Sequence, residues 1–223
     1  MQQESLSEKG VVIDAREFSP EASGKVKELC NHLGCKAFFA DTNILIDFRD
    51  QFSRSLDSAE IKRRVETIER AVNALKGSGI VAYSTLSTAI EYYKHIQHGF
   101  FRSYNQKDIP FKTDYFKELR QNDPDFAHGW NLQIKRFTET FDKKFPIYKL
   151  DTPQNLNVRE MSSEVDFGDF ALYAIVRHVE ASNKYIFSND GDFYNFTDVH
   201  LFTTNAKIIN QAINDGRLYK QSK

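Results

Sequence analysis

Short apolar runs of strand composition alternate along this chain with longer stretches of helical period, and no other feature restricts the fold as much. Val11-Val12-Ile13, Ala37-Phe38-Phe39-Ala40, Ile80-Val81-Ala82-Tyr83, Lys184-Tyr185-Ile186-Phe187 and Val199 to Phe202 are too brief for buried helices and read as strands. Between them lie helical patterns. Ser19-Pro20 is a cap followed by Pro at the first helical position, and that helix ends near Gly34, where glycine accepts left-handed geometry. Ile61, Val65, Ile68, Val72 and Leu75 recur at steps of four, three, four and three. Ser84-Thr85 caps a further helix with the stripe Leu86, Ile90, Tyr93 and Ile96. Phe167 to Val179 and Ala206 to Ile213 complete the set. Strands separated by helices predict an α/β fold of three layers, with a mostly parallel central sheet and helices on both faces.

Length and composition agree with one such domain. The chain has 223 residues, enough for a single α/β domain over 1–223 with a large insertion. Its 19 Phe and 10 Tyr supply material for a packed core, which excludes disorder for the bulk of the chain. The stretch from Phe100 to Leu150 lacks a strand pattern, and Trp130, Ile134, Phe137, Phe141 and Phe145 fall there at helical spacing. It reads as a helical insertion or helical connection over 100–150. Two cysteines, Cys30 and Cys35, are too few for a disulfide scaffold or a four-ligand zinc site, and read as reduced thiols near a helix end. The opening MQQESLSEKG has no apolar signal core, and no apolar run reaches the roughly 20 residues that span a bilayer. A soluble, cytoplasmic protein is expected.

In open parallel sheets, ligands bind beyond the carboxyl ends of the strands, and acids recur at that edge. Asp41 follows the second strand, Glu91 lies in the helix after the third, Asp166 and Asp169 frame the start of the Phe167 helix, and Asp190 and Asp192 follow the Phe187 strand. Singly, each has an ordinary role as a helix cap, a dipole partner, a turn former or an exposed helix residue. Gathered together, four carboxylates would repel one another, and some would be forced to hold protons unless a hard cation neutralised them. Mg²⁺ or Mn²⁺ is the cofactor such a set of oxygens suits.

Four segments, in order, resemble the motifs of the PIN-domain ribonucleases. AFFADTNILIDF is similar to their first strand and D-T-N turn, TLSTAIEYYKH to the helix bearing one glutamate, VDFGDFALYAIV to the D-x-x-D helix, and IFSNDGDFYNF to the strand running into S/T-N-D-x-D-F. They span residues 37 to 196. The resemblance implies a metal-dependent endoribonuclease of the VapC-like type, with Asp41, Glu91, Asp169 and Asp190 as catalytic metal-site carboxylates and Asp192 and Asp166 as further candidate ligands. Asn43 would order the first loop, and Ser188 or Asn189 would bond to neighbouring carboxylates. It implies RNA, single-stranded or in loops, as substrate, and as protein partners an antitoxin-type inhibitor and a second copy of the chain.

A net charge of -1 gives no global affinity for a polyanion, so contact with phosphates must be local. Phe100 to Leu150 holds ten Lys or Arg against seven acids, with Lys135, Arg136, Lys143 and Lys144 as the substrate-binding candidates. The aromatics interleaved with them have the spacing of core residues, although stacking on unpaired bases would use the same residue types. The Lys62-Arg63-Arg64 cluster reads as a solvated helix face.

Other readings fit less well. Phosphatases of the haloacid-dehalogenase type carry a second Asp where this chain has Asn43. Glu91, His95 and His98 share a helix face, but at a spacing of no dedicated metal motif. No Gly-rich phosphate loop is present. The remaining alternatives are a PIN-like domain that binds RNA or protein without cutting, and a DNA-directed nuclease of related fold.

Overall fold

The five apolar runs form one sheet. Strands β1 (Val12–Asp14), β2 (Ala37–Ala40), β3 (Val81–Tyr83), β4 (Tyr185–Phe187) and β5 (His200–Thr203) pair in the order β1-β5-β4-β2-β3, and every pairing is parallel. The computed structural model describes residues 10–49, 58–105, 110–149 and 166–220. Its helices are α1 (Ser23–Leu33), α2 (Thr42–Arg49), α3 (Ala59–Gly77), α4 (Leu86–Asn105), α5 (Thr113–Asn122), α6 (Pro124–Glu139), α7 (Phe167–Val176) and α8 (Ala206–Asn214).

Strand periodicity sends alternate side chains to opposite faces. Phe38, Ala40, Ala82, Phe187 and Phe202 pack into one cluster with residues of α1 to α6, whereas Val12, Phe39, Ile186 and Leu201 pack into a second cluster with Leu172 and Val176 of α7 and Ile208 and Ala212 of α8. The result is a three-layer α/β/α fold whose sheet is covered on both faces, the condition under which purely parallel sheets occur. Among the described residues, no helix is long and apolar enough to cross a membrane.

Several local expectations hold. Ser19 caps a 3₁₀ turn at Pro20–Ala22 that leads into α1, and α1 stops at Gly34 with φ 68°. There the Cys35 amide donates to the Cys30 carbonyl at 2.8 Å and both cysteines are buried, as free thiols. The third helix buries Val65, Ile68, Val72 and Leu75 as the spacing requires, although Ile61 is only partly covered. The segment expected from Ile44 to Phe52 is helical through Arg49, and its last residues lie outside the described ones. The helix expected to run to Val179 ends at Val176.

The stripe of α4 differs from expectation. Leu86 and Ile90 are 61% and 47% exposed, whereas Ala89, Tyr92, Ile96, Phe100 and Phe101 are buried. The two stripes share Ile96, Tyr93 packs half-buried against Trp130 and Phe137, and the rest differ by a rotation about the helix axis. Thr85 and Thr88 are both buried and joined at 2.9 Å, and the Thr85 oxygen accepts from the Thr88 amide, so the capping turn faces inward.

Where described, the stretch 100–150 is helical: the end of α4, then α5 and α6, with a π-helical turn at Thr140–Lys144. Its aromatics are core. Phe100, Phe101, Phe116, Phe126 and Trp130 are buried, and the Phe116 ring meets Phe126 and Trp130 edge-on with centroids 5.1 and 5.0 Å away. Aromatics enclosed in this way are not free to stack on RNA bases.

Strand order locates the place where a ligand fits. The chain leaves β2 outward to β3, and leaves β4 outward to β5 in the opposite direction. The reversal therefore lies between β2 and β4, and beyond their carboxyl ends a parallel sheet opens a crevice. The Asp41 amide donates to the Phe187 carbonyl at 3.1 Å and ties the two strand ends together there.

Candidate metal centre

Asp41 stands at the head of α2, where its carbonyl accepts from the Ile44 and Leu45 amides. Its side chain is 4% exposed and accepts three hydrogen bonds: from the Thr42 amide at 2.5 Å, from Ser188 Oγ at 2.7 Å and from Asn43 Nδ2. Burial dominates its electrostatics and pushes the carboxyl up to about 7. The bonds from Ser188 and Thr42 oppose the rise, and the charges of Asp190 and Glu91 add to it.

Asp169 lies in the first turn of α7, which Asp166 caps by accepting from the Gly168 amide at 2.7 Å. It is partly buried, and its carboxyl is pushed up to about 8, first by burial and then by the charges of Asp41, Asp190, Asp166 and Asp192. Asp190 and Asp192 belong to the loop after β4. The Asp190 amide donates to Ser188 Oγ at 2.9 Å, and the Asp192 amide donates to Asp190 Oδ1 at 3.1 Å. Asp169, Asp190 and Asp192 each place one carboxylate oxygen within 4.8 Å of the others.

An all-oxygen donor set at this spacing suits a hard divalent cation, which takes carboxylates and water. The raised carboxyls of Asp41 and Asp169 point the same way, because added positive charge relieves the repulsion that holds protons on them. The residues fit a hard divalent cation.

The predicted site residues divide into several groups. Asp169, Asp190 and Asp192 come together. Asp41 adjoins them electrostatically and is joined to the Asp190 loop through Ser188. Glu91 reaches the same edge, where its Oε2 accepts from Thr42 Oγ1 at 2.6 Å. Asp166, expected as a ligand, stands outside the close trio as the exposed cap of α7. Asn43 orders the first loop as expected, bonding to Asp41 and, at 3.2 Å, to Ser188 Oγ.

Of Ser188 and Asn189, offered as alternatives, Ser188 is the one that bonds to a carboxylate, and the Asn189 side chain bonds elsewhere. Its Oδ1 accepts from Thr203 Oγ1 and the Thr204 amide, and its Nδ2 donates to Thr204 Oγ1, which fastens the β4 loop to the end of β5. Ser188 thus bonds across to Asp41, and Asn189 across to the end of β5.

The basic candidates lie on the helical extension. Lys135 and Arg136 are exposed on α6, Lys143 is exposed in the π turn, and the Lys144 carbonyl accepts from Lys76 Nζ at 2.8 Å. The chain then runs past the end of β3, where the Ser84 amide donates to the Pro146 carbonyl and the Tyr148 amide to the Ser84 carbonyl. Lys143 and Lys144 thus lead into a segment bound at the carboxyl edge of the sheet.

Three residues had no role in the sequence reading. Thr42, the middle residue of the D-T-N turn, and Gly168, an unspecified position of D-x-x-D, both adjoin Glu91. Arg64, read as part of a solvated cluster, forms a two-pronged ion pair with buried Asp47, with both contacts at 2.8 Å, and joins α3 to α2. Only a buried acid on a neighbouring helix could have signalled it, and Asp47 looks unremarkable within its own segment. No protein-family model, no curated protein and no solved structure matches this chain.

Proposed function

We propose that this protein is a PIN-type endoribonuclease that hydrolyses RNA phosphodiesters with Mg²⁺ or Mn²⁺. The observation that carries the reading is the meeting of Asp169, Asp190 and Asp192 beside buried Asp41, from three separate stretches of chain, at the point where strand order reverses. Those four would hold the cation, with Glu91 at the margin. When bound, the cation supplies Lewis acidity to the phosphodiester and a strong nucleophile at neutral pH.

The protein's own groups prepare the site. Ser188 and Asn43 fix the Asp41 carboxylate in one orientation, and the Asp190 loop is aligned by the same Ser188 hydroxyl. Near neutral pH Asp41 and Asp169 hold protons in part, and they release them as positive charge enters.

One feature favours a single-stranded nucleic acid. Phe167, in the same turn as Asp169, is 55% exposed, and an exposed ring beside the reacting phosphate offers a stacking surface to an unpaired base.

The test is incubation of the purified protein with single-stranded RNA, structured RNA and DNA, each with Mn²⁺, Mg²⁺ or EDTA, beside an Asp41→Asn/Asp169→Asn double variant. Metal-dependent cutting of RNA that the variant loses supports the reading. Preferential cutting of DNA moves it to a DNA-directed nuclease. No cutting and no Mn²⁺ binding by calorimetry replaces it with a non-catalytic PIN-like binder.

A further inference from the structure

We infer that Gly168 is a positioning residue for Glu91, forming with the Thr42 hydroxyl a cradle that holds the Glu91 carboxylate beside the metal centre. The inference rests on reading the acids as a metal centre. It assigns a task to two residues that carry no ionisable group.

The geometry is tight on both sides of the carboxylate. Thr42 Oγ1 donates to Glu91 Oε2 at 2.6 Å. On the other side, a β-carbon built on Gly168 would lie 1.6 Å from Glu91 Oε1 and 2.7 Å from its Cδ. The first distance is close to a covalent bond length, so even alanine at 168 is incompatible with the observed position of Glu91. Gly168 sits in the first turn of α7, where ordinary right-handed helical backbone makes no demand for glycine. The reason for glycine is the space that it leaves.

The walls of the cradle are the chain neighbours of the two acids with raised carboxyls. Thr42 follows Asp41, and Gly168 precedes Asp169. Glu91 comes from α4, whose buried stripe of Ala89, Tyr92 and Ile96 faces the core and leaves Glu91 at the boundary. Without the cradle, a long carboxylate at such a boundary would extend into water. With it, the side chain is held against α7 and α2 at the edge where Asp41, Asp169 and Asp190 lie.

What yields in a Gly168→Ala variant is the end of a flexible side chain rather than backbone. The fold therefore tolerates the change, and alanine is the better helix former. The Glu91 carboxylate must swing away, and its bond to Thr42 is lost. A structural role for Gly168 predicts the opposite pattern, a weakened fold with an intact site.

The experiment is Mn²⁺ titration calorimetry on the wild type, Gly168→Ala, Glu91→Ala and the double variant, with thermal unfolding of each in EDTA. Gly168→Ala should bind Mn²⁺ about tenfold more weakly, as changes in groups that orient metal ligands do. It should unfold at a temperature no lower than the wild type. In the Glu91→Ala background, Gly168→Ala should cost less than about twofold more, because the two changes remove one interaction. Thr42→Val should weaken binding in the same sense, and Thr42→Ser should restore it. Wild-type affinity in Gly168→Ala, or a full further loss once Glu91 is absent, overturns the proposal alone. Absence of Mn²⁺ binding by the wild type overturns the metal-centre reading and this proposal with it.

Discussion

The Ser188 hydroxyl donates to Asp41 Oδ2 at 2.7 Å across 147 residues of sequence, while its oxygen accepts from the Asp190 amide at 2.9 Å. One buried hydroxyl thus aligns the acid that follows β2 with the acid loop that follows β4. It also opposes the upward push of burial on Asp41. Ser188→Ala should raise the Asp41 carboxyl further and destabilise the fold by about 1 kcal/mol, the usual net worth of a hydrogen bond. The pH profile of Mn²⁺ affinity should move to higher pH. A profile that stays in place would show that Ser188 does not tune Asp41.

Asp41 and Asp169 titrate at about 7 and about 8 in the folded chain, against roughly 3.9 for an unfolded aspartate. Between about pH 4 and pH 8 the folded state therefore binds more protons than the unfolded one, and stability falls as pH rises. The stabilisation from these two protons is complete below the unfolded value and is lost as pH passes through the folded values. In EDTA, the unfolding temperature should drop between pH 6 and pH 8.5, and saturating Mn²⁺ should remove the drop. Asp169→Asn should raise stability at pH 8.5 in EDTA by relieving repulsion, and should lose Mn²⁺ binding. A metal-free protein whose unfolding temperature is flat or rising over that range would contradict the argument.

Arg64 holds buried Asp47 through two contacts of 2.8 Å. Arg64→Ala leaves that carboxylate without its cation and should cost about 2 kcal/mol, the scale of hydrogen bonds to charged groups, reduced by the half-exposure of the arginine. Mn²⁺ affinity should not change. Urea unfolding measures the first effect, and calorimetry the second. A neutral result in urea would mean that solvent replaces Arg64 at no cost.

Phe167→Ala should weaken single-stranded RNA binding about tenfold, the lower range for one stacked base. Mn²⁺ affinity and binding of duplex RNA should stay as they are. Fluorescence anisotropy with the two RNAs separates these outcomes, and an equal loss on both would rule out a stacking role.

Charge reversal at Lys143 and Lys144 should weaken RNA binding and flatten its dependence on salt, since fewer counterions would be released. Anisotropy titrations at two salt concentrations read both effects. If neither moves, the π turn lies off the RNA path.

Much of the fold was legible because its signals are local. The cap at Ser19, the left-handed Gly34 and the apolar periods of β2, α3 and α7 depend on residues within a few positions of one another. The acids of the site were legible as strand-end residues, since Asp41 and Asp190 must follow β2 and β4 wherever those strands lie. What escaped was rotation and partnership. The stripe of α4 was misplaced because two apolar stripes share Ile96, and only the packed neighbours choose between them. Ser188 and Asn189 are adjacent polar residues that point to different strands, which their types do not reveal.

The sequence by itself determined the alternation of strands and helices, the parallel class of the sheet and the identity of the acids at its carboxyl edge, because apolar period and chain order specify these without reference to distant residues. Only the tertiary structure decided that Asp169, Asp190 and Asp192 share one small volume, that Asp166 caps a helix beside them, and that Gly168 makes room for Glu91. Those outcomes depend on which strands become neighbours and how each helix is turned about its axis. Both are settled when the two hydrophobic clusters close over the sheet.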